Sequence, residues 1–275
     1  MKNKHLLYPS ILSLIFLLSV FETISFSKEY KVGVVPQFEQ RRLLATWSPI
    51  LKYLEDQTGD LFKLSSSTSI GEFEKRFLAG EFDLAYCNPY HYIMAKRAQG
   101  YVPIIMSGSK KLQGILVASN SSGINDINQL HNQKLAFPSA NALGASLLMR
   151  AELKKFHGLD IKPEYVKTHS SVYLFVAKGV MKAGGGVQRT FNEQKQSLQN
   201  KLKIIYRTAK VNPHPIIVHP RLGNDKKIEI QKLLLSLASM QAVLFENIPM
   251  NDPMQATDKD YLNLEQLGLE EFVGP

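Results

Sequence analysis

Residues 85–92 read "AYCNPYHY", which sets phenols, an amide, an imidazole and the chain's single cysteine directly after the apolar run Phe82-Asp83-Leu84. Phenol, amide and imidazole groups all donate hydrogen bonds, the equipment of a polar recognition site. Neighbours along a strand point to opposite faces, so Tyr86 and Cys87 cannot both face one cleft while extended. Cys87 therefore reads in two ways. It is a small buried hydrophobe, or a soft ligand for a thiophilic species such as a trivalent arsenic oxyanion.

Three further clusters carry chemistry. In "FPSANALGAS" (137–146), Ser139 and Asn141 stand between a strand end and a helix start. Free amide groups and the helix dipole make that an anion seat, and plain helix capping is the alternative. In "THSSVY" (168–173), His169 lies between a strand and a helix, where its imidazole can donate to an anion. Tyr173, one turn further on, reads as core. In "AGGGVQRTF" (183–191), Gly184 to Gly186 permit close backbone approach to a ligand or tight packing between parts of the fold. No Gly-Lys-Ser/Thr follows them, so this is not a phosphate-cradling P-loop. Arg189 is suited either to a bidentate pair with an oxyanion or to a salt bridge with a carboxylate of the fold.

Catalytic chemistry finds no support. There is no Gly-x-Ser-x-Gly, no His-Glu-x-x-His and no Asp/His cluster at ligand spacing. His214 and His219 are five apart, each flanked by proline, and make a poor metal pair. One cysteine forms neither an internal disulfide nor a Cys-rich zinc site. No enzyme activity, metal or cofactor is expected.

These clusters need a scaffold, and 275 residues suit one large domain or two lobes of ordinary size. The net charge of +9 comes from scattered basic residues, pairs such as Lys110-Lys111 and never a run, so nucleic-acid binding is not indicated. Lys2 and Lys4 precede an apolar stretch, Ile11 to Phe21, and "SFS" puts small residues before Lys28. That is the pattern of a cleaved secretory signal peptide over residues 1–27, which predicts a periplasmic protein. From Tyr30 onward, short apolar runs alternate with amphipathic segments. "YKVGVV", "LFKL" and "FDLAY" read as strands. Thr46 to Gln57 and Ile70 to Ala79 read as helices, closed by Gly59 and Gly80. The grammar restarts near residue 124, with one helix of about four turns expected over "NALGASLLMRAELKKF". "RFLAGEFDLAY" (76–86) and "FVAKGVMKAGG" (175–185) echo each other as helix end, glycine, strand and polar loop. The pattern is an α/β protein with two similar lobes, each ending strands at a shared crevice.

"VGVVPQ", "WSPILKYLE", "GEFDLAYCNPYHY", "KLAFPSANALGAS", "THSSVYLFVAKG", "AGGGVQRTF" and "NPHPIIVHP", in that order, resemble the periplasmic phosphate/phosphite/phosphonate-binding proteins of ABC transporters, the PhnD-like group. The resemblance implies a two-lobed periplasmic binding protein fold of the second type, with a hinge between the lobes. Lobe one would hold residues 28–114 and 214–275, and lobe two residues 115–213. It implies a monomer that binds a small oxyanion and hands it to an ABC transporter permease. The alternative is a sensor subunit that docks on a membrane histidine kinase. The loop 37–42 would approach the cleft. Gln37, Tyr86, Cys87 and Asn88 would contact ligand from lobe one, and Ser139, Asn141, His169 and Arg189 from lobe two. Binders of aminophosphonates hold the amine with carboxylates at the positions of Arg189 and His214, which are not acidic here, so a ligand without an amine is implied. Relatives carry hydroxyl groups before the glycine matching Gly144, where this chain has Asn141-Ala142-Leu143.

Overall fold

A computed structural model of the chain describes residues 27–274. The expected signal peptide lies outside them, apart from Ser27. The first pass of the chain lays down β1 (Glu29–Val34), α1 (Gln40–Thr58), β2 (Leu61–Leu64), α2 (Ile70–Leu78), β3 (Leu84–Tyr86), α3 (Pro89–Gln99) and β4 (Val102–Ser107). The chain then crosses over and builds β5 (Leu112–Ser119), β6 (Lys134–Phe137), α4 (Leu148–His157), β7 (Lys162–Tyr165), α5 (His169–Ala177), β8 (Ala183–Val187), α6 (Gln188–Asn192), α7 (Gln196–Gln199) and β9 (Leu202–Val211). It returns through β10 (Ile216–Val218), α8 (Gly223–Met240), α9 (Ala242–Asn247), β11 (Pro253–Gln255) and α10 (Leu262–Glu265).

These strands form two sheets, ordered β2-β1-β3-β10-β4-β11 and β7-β6-β8-β5-β9. Both follow one plan. The first strand made after each crossing slots in antiparallel between two others: β10 between β3 and β4 of the first pass, β5 between β8 and β9 of its own pass. The echo in the sequence falls on equivalent strands, β3 and β8. Each follows a helix stopped by a left-handed glycine, Gly80 at φ 71° and Gly179 at φ 72°.

The sheets are joined by the crossings 108–111 and 212–215. Leu112 already pairs with Val211, and Gly114 with Val187, so the first change of sheet comes just before the expected boundary at 114/115. Lys111 Nζ bonds Asn212 Oδ1 and so ties one crossing to the other. Tyr261 donates its hydroxyl to the Pro213 carbonyl at 3.0 Å and anchors the return crossing to lobe one.

Two elements differ from expectation. α1 starts at Gln40 rather than Thr46, because its first turn, Gln40-Arg41-Arg42, shows no apolar stripe and Pro49 lies inside the helix. Its buried face is Leu43, Trp47, Ile50, Leu51 and Leu54. The helix expected over 141–156 is instead a wide π-turn, Leu143–Leu147, running into α4. Packing against glycines accounts for the seating of that turn. A Cβ on Gly114 would stand 2.0 Å from Gly144 O, and one on Gly185 would stand 1.9 Å from Ala145 O. A Cβ on Gly186 would stand 2.1 Å from Tyr173 Oη, and one on Gly184 2.5 Å from Val172. The glycine run thus serves tight packing of β8 between α5 and the π-turn.

A contrast of two glycines tests this. Gly185→Ala is expected to cost at least about 2 kcal/mol of stability, since a backbone carbonyl fills the space. Gly71→Ala, with nothing within 4 Å of the added methyl and a helical setting, is expected to gain about 0.5 kcal/mol. Urea unfolding midpoints of the two variants measure both.

Candidate functional site

β3 delivers Tyr86 to the crevice. It is the strand's last residue, held between Val34 of β1 and Ile216 of β10. Its ring lies 5.4 Å from that of Trp47 and stacks at 5.4 Å on His214. Burial pushes its phenol well above the usual value, partly opposed by Arg189. Cys87, next in line, is fully buried, and burial drives its thiol up as well. A sealed, protonated thiol behaves as a small hydrophobe rather than a soft ligand.

Asn88 begins α3. Its side chain accepts from the His91 amide at 2.9 Å, capping the helix ahead of Pro89. The same side chain donates to the Asn141 carbonyl of lobe two at 3.1 Å. Asn141 is bound in turn. Its amide donates to Glu74 Oε2 at 3.0 Å and to the Gly274 carbonyl at 3.1 Å, and its oxygen accepts from the Gly274 amide at 3.1 Å. Glu74 also meets His91 Nε2 at 2.9 Å. Asn88 and Asn141 therefore use their side chains to bridge the lobes and the C-terminal segment. Glu74 joins them without any sequence signal, as one acid on an amphipathic helix.

Arg189, at the start of α6, divides its guanidinium. Nε donates to Glu193 Oε1 at 2.6 Å and Nη2 to the Asn247 carbonyl of lobe one at 3.2 Å. Nη1 is buried without a partner. Glu193 also accepts from Arg42 of α1 at 3.0 Å, and Arg42 lies 3.9 Å above the Phe38 ring. His169 opens α5 and is buried with Nδ1 unpartnered; desolvation lowers its pKa to about 4. His214 is held by Gln37, Nε2 to Nε2 at 2.8 Å. Desolvation first, then the charges of His91, Arg189 and His169, lowers it to about 3. Both rings are thus neutral at pH 7.

Tyr86 and His214 of lobe one come near Arg189 and His169 of lobe two, whereas Cys87 is sealed and Ser139 bonds to none of them. Among the described residues, the buried polar atoms without a hydrogen-bond partner include Tyr86 Oη, Ser139 Oγ, His169 Nδ1 and Arg189 Nη1. One fixed cation beside neutral groups that donate or accept suits a small anion. Beside Tyr86, a cavity of about 20 Å³ is lined by lobe-one residues alone, Gln37, Arg42, Trp47 and Asn247 among them. A larger depression of about 620 Å³ at the start of α8 contains none of these residues and is open surface. The C-terminal segment crosses the same region. Arg150 bonds the carbonyls of Ala140 and Phe272, and Lys155 those of Leu267 and Gly268.

Comparison with known proteins identifies the family and the fold. The Phosphate-import protein PhnD of Mycolicibacterium smegmatis is 20% identical over 255 residues, covering 85% of this chain and 79% of that protein. The structure of PhnD1 from Prochlorococcus marinus in complex with methylphosphonate superposes with a TM-score of 0.79 at 18% identity, covering 89% of this chain and 98% of that one. A binding protein component of an ABC phosphonate transporter from Pseudomonas aeruginosa gives a TM-score of 0.79 at 14% identity, covering 88% and 85%. These neighbours share the two-lobed periplasmic binding protein fold. Residues 32–261 match the family described as ABC transporter, phosphonate, periplasmic substrate-binding protein. The chain belongs to that family of periplasmic substrate-binding proteins.

Proposed function

We propose that the crevice between the lobes binds one small tetrahedral oxyanion without an amine, and that the lobes close around it for delivery to a membrane permease. The observation that carries this reading is the set of buried, unpartnered polar atoms on Tyr86, Ser139, His169 and Arg189, drawn from both lobes. A ligand that touches both lobes favours the closed state through that difference in contacts. The methylphosphonate of the Prochlorococcus marinus structure and the phosphate of the Mycolicibacterium smegmatis relative's name belong to the same chemical class. An ammonium group would meet the Arg189 cation. The nearby carboxylates, Glu74 and Glu193, already have protein partners. The basic and then apolar N-terminus supports export to the periplasm.

Thermal shift of the mature protein against phosphate, phosphite, methylphosphonate, aminoethylphosphonate and sulfate tests the ligand class. Stabilisation by one or more of the amine-free anions is expected; stabilisation by aminoethylphosphonate alone refutes the reading. Arg189→Gln is expected to weaken anion binding by about tenfold to a hundredfold, the worth of one charge-assisted hydrogen bond. Unchanged affinity in titration calorimetry removes Arg189 from the site.

A pH dependence follows from the histidines. Closure holds His169 at about 4 and His214 at about 3, below the ordinary value, so the open or unfolded chain binds these protons first. Closed-state stability is therefore full above about pH 6.5 and falls as the pH drops toward 4. At about pH 5 each ring contributes a loss of up to about 2 kcal/mol. The double variant His169→Gln, His214→Gln should flatten the fall in unfolding free energy between about pH 7 and about pH 5. An unaltered slope would show that neither ring is buried neutral.

A further inference from the structure

We propose that the crevice selects its oxyanion in the singly charged state, and that Glu193 sets this selectivity by cancelling one of the two arginines at the crevice mouth. The inference rests on the oxyanion reading above and adds the charge of the guest. Arg189 Nε and Arg42 Nη2 share the Glu193 carboxylate, at 2.6 and 3.0 Å. Two guanidinium charges against one carboxylate leave a net single positive charge; Arg189 Nη1 is its buried, unpartnered end, and the Arg189 charge reaches Tyr86 and His214.

The buried groups nearby do not add to it, and Arg207, bonded to Gln188, and Arg41 are solvent-exposed cations. Gln37 Nε2 is a donor, so His214 Nε2 must accept from it, which makes that ring neutral. His169 is buried, desolvation lowers its pKa, and no acidic partner holds a charge on it. Glu74 and His91 pair with each other and contribute no net cation. Arg150 is engaged by Ser146 Oγ and by the carbonyls of Ala140 and Phe272 on the α4 side. Tyr86 and Cys87 are held protonated by burial. A dianion would therefore bring an uncompensated negative charge into a desolvated space, which is costly.

Hydrogen-bond chemistry points the same way. The tyrosine and serine hydroxyls and a neutral imidazole nitrogen can each accept as well as donate. A singly protonated oxyanion has a hydroxyl to give one of them, and a fully deprotonated one has none.

Titration calorimetry on the mature protein at intervals between about pH 7 and about pH 9 tests this, with four probes. Methylphosphonate and phosphite lose their second proton near neutrality, methanesulfonate stays singly charged throughout, and sulfate stays doubly charged. Binding of methylphosphonate or phosphite should weaken by up to about tenfold per pH unit once the dianion predominates. Methanesulfonate, if it binds, should not follow that slope, and sulfate should bind more weakly than the singly charged probes. In Glu193→Gln the slope should flatten, and sulfate should gain at least about tenfold relative to the singly charged probes. Affinity that is constant or rises as the dianion forms overturns the charge selectivity and leaves the oxyanion reading intact. Equal weakening of every probe in Glu193→Gln, with the slope unchanged, overturns the role of Glu193. Absence of binding by all four probes at every pH overturns both readings.

Discussion

Two backbone carbonyls govern how lobe two is assembled. Gly144 O and Ala145 O press against β5 and β8 at points where any side chain would overlap them by more than an ångström of normal contact. Only glycine at 114 and 185 lets the π-turn sit that low on the sheet. The turn then presents its N-terminal end, with Ser139 and Asn141 just before it, to the other lobe. Leu143, Ala145 and Leu147 pack into the same apolar cluster as Tyr86, Tyr90 and Ile93 of lobe one. Seating the turn thus both completes lobe two and supplies the apolar surface on which the lobes meet.

On that surface, polar groups fall into two kinds. One kind is bonded: Asn88, Asn141, Glu74 and His91 Nε2 link to one another and align the halves, with only His91 Nδ1 left without a partner among them. The other kind is held in place but unsatisfied at its tip. Tyr86 is fixed by its strand and by ring stacking on His214, and Arg189 by Glu193 and Asn247. Preorganised donors lose little freedom when they take up a ligand, so they favour a small guest that offers few contacts of its own.

The scaffold was largely legible in the sequence because strand and helix periods are local. Gly80 and Gly179 even marked the equivalence of β3 and β8 before any pairing was known. The site was legible in a different degree. Asn88 before Pro89 carries the signature of a helix start, and it proved to have that local duty besides its contact across the crevice. The choice left open for Gly184–Gly186, ligand approach or tight packing, turned on Tyr173 and Ala145 O, neither of which is near in sequence. The carboxylate that pairs with Arg189 was visible as a spacing of four residues to Glu193. Its second partner, Arg42, lies 151 residues away in the chain. Glu74 looked like any solvent-facing acid of an amphipathic helix; only the close approach of lobe two buries it. Local chemistry reads out locally, whereas the pairing of charges between distant segments is a property of the closed shape.

The C-terminal segment leaves the crossing region at Tyr261, follows α3 through Arg97–Glu270, and ends with both backbone groups of Gly274 bonded to Asn141. A Cβ on Gly274 would stand 2.5 Å from Ala140, so residue 274 is wedged into the seam itself. A side chain introduced there would push on both halves at once. An affinity measured on such a variant would include the work of moving that segment aside.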